Sequence, residues 1–127
     1  MQVNIPEVVA EVTAAFMEYQ RAVDTNDAAT MNRLFWSSPS TVRFGPNGTL
    51  VGHAALSAFR LGRTQQGVAR KLQNTVITTF GRDYAATNTE STKPGSSAVS
   101  RQSQCWIRTP DGWRIAAAHV SEMPERK

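Results

Sequence analysis

The chain's 127 residues suffice for one hydrophobic core and leave little for a second, so one domain over residues 1–127 is expected. Lys and Arg outnumber Asp and Glu by 14 to 10, but the arginines are scattered rather than run together, which argues against a nucleic-acid partner and fits a small anionic ligand or an uncharged one. The single Cys105 excludes an internal disulfide and makes no zinc spacing with the two histidines; with no long apolar run and no leader-like opening, the expectation is a cytoplasmic protein with no membrane contact, no metal and no cofactor.

Pro6 stands where helices begin, Glu7 follows at the favourable end of the dipole, and Val8, Val9, Val12, Phe16, Tyr19 and Val23 recur at helical spacing, predicting one helix to about Asp24. Asn26 and Asp27 can cap a short second helix that buries Met31, Leu34 and Phe35 and ends before Pro39. From Thr41 the period drops to two, and Gly45-Pro46-Asn47-Gly48 turns a small hairpin into Thr49-Leu50-Val51. Gly52 leads into a third helix with Ala55, Leu56 and Phe59 on its apolar face and Arg60 and Arg63 toward its end. Four strands follow, Lys71 to Phe80, Tyr84 to Lys93, Ser97 to Arg108 and Trp113 to about Ser121, joined by turns at Gly81-Arg82-Asp83, Pro94-Gly95-Ser96 and Pro110-Asp111-Gly112. The Ser- and Thr-rich stretch from Thr87 to Ser100 reads as two solvated strand ends. Helices first and strands last predict an α+β fold, its helices packed in a curved antiparallel sheet that forms a cone with a pocket at the open end.

Several residues can carry chemistry in such a pocket, and each has a structural alternative. Tyr19 lies in the buried stripe of the first helix, either as a core tyrosine with a satisfied hydroxyl or as a group facing the pocket. Arg43 takes whichever strand face Val42 and Phe44 do not. Arg60 and Arg63 share a helix face, suited to holding a carboxylate or simply to solvent. On the third long strand either Arg101, Ser103 and Cys105 or Gln102, Gln104 and Trp106 face inward. His119 alternates with Trp113, Ile115 and Ala117, as a core histidine or a ligand-binding one. Glu90 and Asp83 are weak candidates for a general base, and Cys105 reads as a buried small hydrophobe.

The opening Asn4-Ile5-Pro6-Glu7-Val8-Val9, together with Leu34-Phe35-Trp36, Thr41-Val42-Arg43-Phe44-Gly45, Ala58-Phe59-Arg60, Thr75-Val76-Ile77-Thr78-Thr79, Arg101-Gln102-Ser103-Gln104, Asp111-Gly112-Trp113-Arg114-Ile115 and Ala118-His119-Val120-Ser121, resembles the HpxZ/AtzH family. That family belongs to the SnoaL-like group of the nuclear transport factor two-like cone fold. The resemblance implies a companion of amidases in nitrogen catabolism, and in its AtzH branch a decarboxylating amidohydrolase that converts 1,3-dicarboxyurea to allophanate in cyanuric acid breakdown. It also implies that Tyr19 and Arg43 carry the activity; Arg60, Arg63, Arg101 and His119, singled out by their positions in the chain and not by the resemblance, are the candidates for binding the substrate. A homodimer or higher homo-oligomer, and association with an operon amidase, are expected partners. Two rival readings are a non-catalytic ligand-binding or amidase-partner module, and an isomerase using His119 or Glu90 deep in the cone.

Overall fold

Pro6 opens α1 (Pro6–Thr25), and the computed structural model, which describes residues 1–62 and 66–125, buries Val8, Val12, Phe16 and Tyr19 along one side of it. Asn26 ends the helix in the left-handed conformation at φ 52°, its N–H donating back to the carbonyls of Ala22 and Val23. Asp27 then caps α2 (Ala28–Leu34): its Oδ1 accepts from the Thr30 N–H at 3.1 Å, and Met31 and Leu34 point into the core.

The hairpin β1 (Val42–Gly45) and β2 (Gly48–Val51) precedes α3 (His53–Leu61). The meander β3 (Lys71–Phe80), β4 (Tyr84–Thr92), β5 (Val99–Thr109) and β6 (Gly112–Met123) completes a six-stranded sheet in the order β2-β1-β6-β5-β4-β3. All neighbours are antiparallel except β1 and β6, which run parallel with Arg43 opposite Ala118. Thr41, fully buried, fixes the approach to β1 by donating its hydroxyl to the Trp36 carbonyl at 2.6 Å.

The concave face of the sheet closes on α1 through Trp106, Ile115, Ala118 and Ala85. Burying a large apolar side chain of this kind stabilises the fold by about 1.5–3 kcal/mol. The polar residues of β4 differ from the sequence expectation: Thr87, Thr89 and Ser91 are buried rather than solvated. The threonine hydroxyls find partners, Thr87 accepting from the Trp106 indole at 3.0 Å and donating to Gln104 Oε1 at 3.2 Å and Thr89 sharing a hydrogen bond with the Thr75 hydroxyl at 2.7 Å, which is why a strand so rich in threonine can face the interior.

Two bulges bend the sheet. One lies in β3 between Gln73 and Val76, where Asn74 has φ 53°. The other lies in β6, where Cys105 pairs with Ala117 and Trp106 with Ile115, leaving Ala116 as an extra residue. Among the described residues no helix is long and apolar enough to cross a membrane.

Candidate functional site

A cavity of about 600 Å³ opens between the C-terminal half of α1, the β1–β2 hairpin, α3 and the free ends of β4, β5 and β6. Among the described residues four basic side chains line it, Arg43, Arg60, Arg70 and Lys93, against one lining carboxylate, Glu122.

Arg60 defines its buried end. It is only 4% exposed, its Nη2 donates to the Tyr19 hydroxyl oxygen at 2.7 Å, and its Nη1 donates to the Met31 sulfur at 3.0 Å. Its guanidinium carbon sits 5.3 Å from the Phe35 ring centre and 5.8 Å from that of Tyr19. It belongs to none of the ion pairs among the described residues, and its Nε has no hydrogen-bond partner. A buried guanidinium offset only by a phenol, a thioether and two rings lacks a counter-charge. Tyr19, 2% exposed, meets Arg60 as an acceptor, so that contact does not use the donor capacity of its hydroxyl.

Arg43 reaches the same cavity because its strand neighbours do not: Phe44 is 46% exposed on the outer face, so the alternation turns Arg43 inward, 5.8 Å from the Phe59 ring centre. Gly45 makes room for it. A Cβ there would stand 2.9 Å from Arg43 Nη1 and 3.2 Å from its Cζ. Gly45→Ala is therefore expected to leave the melting temperature close to that of the parent, since a flexible side chain can yield, but to displace the Arg43 guanidinium and weaken anion binding. Thermal melts alongside ligand titration check both halves; a variant that binds as the parent does would show that Arg43 needs no such space.

Arg70, which the sequence did not single out, also lines the cavity. Its Nε donates to Asp24 Oδ1 at 2.5 Å, and its Nη2 donates to the Gln20 backbone carbonyl at 3.1 Å and to Gln20 Oε1 at 2.8 Å. Nothing in the local pattern marks it, because it precedes β3 in an irregular segment and meets α1 only in the folded chain.

Two candidates are corrected. Arg101 does not enter the cavity: Gln102, Gln104 and Trp106 take the inner face of β5, so Arg101 lies outside, paired with Glu90 at 3.1 Å. His119 is exposed on the same outer face, its ring 6.0 Å from that of Phe44. The extra residue Ala116 is the reason. Trp113 and Ile115 point inward before the bulge, but Ala118 and Val120 do so after it, which reverses the side on which His119 falls.

Cys105, expected to be buried, is exposed beyond the same bulge. Arg63 lies outside the described residues. Glu90 is held below the usual carboxylate range by hydrogen bonds from Asn74 and Arg101, and it too is on the outer face, so neither it nor His119 serves an isomerase-type site inside the cone. Among the described residues no group of three or more His, Cys, Asp or Glu could hold a metal ion.

Known proteins resemble this chain along nearly its whole length. The model of the AtzH-like family matches residues 1–126. A solved structure of a protein of unknown function from Pectobacterium atrosepticum is 50% identical, with a TM-score of 0.91 over 95% of this chain and 94% of that one. A cystatin-like fold protein from Burkholderia xenovorans is 46% identical, with a TM-score of 0.90 over 99% of both chains. A nuclear transport factor 2-like superfamily protein from Salmonella enterica, 25% identical over 95% of this chain and 94% of that one, superposes with a TM-score of 0.73. No curated protein matches. The α+β cone is the nuclear transport factor 2-like, SnoaL-like fold.

Proposed function

Because the chain belongs to the AtzH-like family, we propose that its cavity takes a small dianionic N-carboxylated urea, 1,3-dicarboxyurea or a close analogue, and removes one carboxyl group to leave allophanate, a step of cyanuric acid catabolism. The observation that carries this reading is the buried Arg60 guanidinium, which has no carboxylate partner among the described residues and donates to the hydroxyl oxygen of Tyr19. A substrate carboxylate supplies the missing counter-charge. Arg43, which lines the same cavity, suits the second carboxylate.

The chemistry is the loss of carbon dioxide from nitrogen. The N–C bond to one carboxylate breaks, its electron pair stays on nitrogen, and nitrogen takes a proton, so that R–NH–COO⁻ and H⁺ give R–NH₂ and CO₂. Tyr19 is positioned to supply that proton, and the Arg60 Nη2 hydrogen bond, 2.7 Å from the phenol oxygen, takes up the negative charge left behind until solvent returns the proton.

Incubating the protein with freshly generated 1,3-dicarboxyurea and following allophanate and carbon dioxide tests the reading. The parent is expected to form allophanate faster than the uncatalysed loss, without inhibition by chelators, and Arg43→Ala to lose most of that rate. Binding without turnover would point instead to a ligand-binding module. No binding at all would remove the reading.

A further inference from the structure

The donor and acceptor order along the cavity wall is fixed by one residue that can only donate. Arg70 has no acceptor atom, so the side-chain atom of Gln20 that receives its Nη2 at 2.8 Å must be the carboxamide oxygen. Gln20 is 1% exposed and cannot turn away, and its remaining Nε2 donates to Gln102 at 2.6 Å. Gln102 must therefore meet it with Oε1. What Gln102 has left is its Nε2, which no described residue accepts, and Gln102 lines the cavity. The orientation of both amides follows from the guanidinium, which Asp24 anchors at 2.5 Å.

From this relay we infer that Gln102 is a specificity-determining residue whose side-chain N–H donates to the carbonyl oxygen between the two anionic arms of the substrate, and that Gln20 and Arg70 are positioning residues that hold it in donor polarity. The inference rests on the proposed reading of the cavity as a site for a dianion and names what distinguishes one dianion from another. Both arms of a diacid can be held by guanidinium groups whatever lies between them. Discrimination at the centre requires a donor that cannot turn into an acceptor. A freely rotating glutamine presents either atom and selects little; one locked at its oxygen by Gln20 presents only N–H.

Two stable diacids isolate this contact from turnover. Acetonedicarboxylate has a carbonyl midway between two carboxylate arms, and glutarate has the same chain length with a methylene there. In calorimetric titrations with fresh solutions, the parent is expected to bind acetonedicarboxylate about 3- to 10-fold more tightly, the ratio that one net hydrogen bond supplies. Gln102→Leu is expected to bring that ratio to about one with glutarate affinity little changed, since glutarate never used the contact.

Gln20→Glu tests the relay with Gln102 intact. A glutamate still accepts from Arg70 but has no N–H for Gln102, so the preference should fall toward one even if the added charge weakens both diacids alike. A purely structural role for Gln20 would leave the ratio where it was.

A parent that binds both diacids equally, or a preference that survives in either variant, overturns the assignment of Gln102 and leaves the dianion reading standing. A parent that binds neither diacid overturns both.

Discussion

Tyr19→Phe is expected to lower kcat on 1,3-dicarboxyurea by about 10²–10⁴-fold, the usual contribution of a positioned general acid, while changing the affinity for the dianion by only a few fold. That loss corresponds to about 3–5 kcal/mol of transition-state stabilisation. The substitution keeps the ring, which is 2% exposed and meets Phe35 edge-on at 5.8 Å, so the packing of α1 against α2 is preserved. It removes the proton and the acceptor for Arg60 Nη2 together. A buried donor stripped of its acceptor costs about 1–3 kcal/mol, so the melting temperature should drop modestly as well. Single-turnover kinetics combined with diacid binding separates these effects: unchanged turnover at normal affinity would exclude Tyr19 as the acid and leave it a buried hydrogen-bond partner.

Why sequence marks Tyr19 and not Arg70 is a matter of range. The stripe of Val12, Phe16 and Tyr19 is a local periodicity that survives folding unchanged, so the helix and its inward face are legible in residue spacing alone. The same holds for the hairpin of β1 and β2 and for the order of the four long strands. The inward turn of Arg43 needs one further fact, that Phe44 takes the outer face. What fails is parity carried through an irregular strand. One extra residue, Ala116, reverses the alternation of β6, and no composition signal announces it in a run of three alanines. Arg101 is a different case, since two complementary sets on β5 both offer polar residues and only the burial of Trp106 and Gln104 decides between them. Arg70 and Gln20 are distant in sequence and become a relay only when α1 is laid on the sheet.

Arg60→Met is expected to yield a protein more stable than the parent and without useful affinity for dianions. The guanidinium gains two hydrogen bonds, to Tyr19 and Met31, and contacts with two rings. A desolvated cation–π contact is worth about 2 kcal/mol. Against these stands the cost of removing a cation from water without a counter-ion, still several kcal/mol per ion after relaxation. Methionine has the length and flexibility to fill the space beside Met31 and Phe35 without a charge, and exchanges of buried ionic groups for apolar ones of similar size are neutral to stabilising by about 1–4 kcal/mol. At about 2–8 °C per kcal/mol, a stabilised variant should melt several degrees higher. The sign reverses once ligand is present: saturating acetonedicarboxylate should raise the melting temperature of the parent, because it binds the folded state alone, and leave that of Arg60→Met nearly unmoved. If the variant melted lower than the parent and still responded to the diacid, Arg60 would be a structural cation satisfied by its aromatic surroundings rather than a charge held in reserve for a substrate.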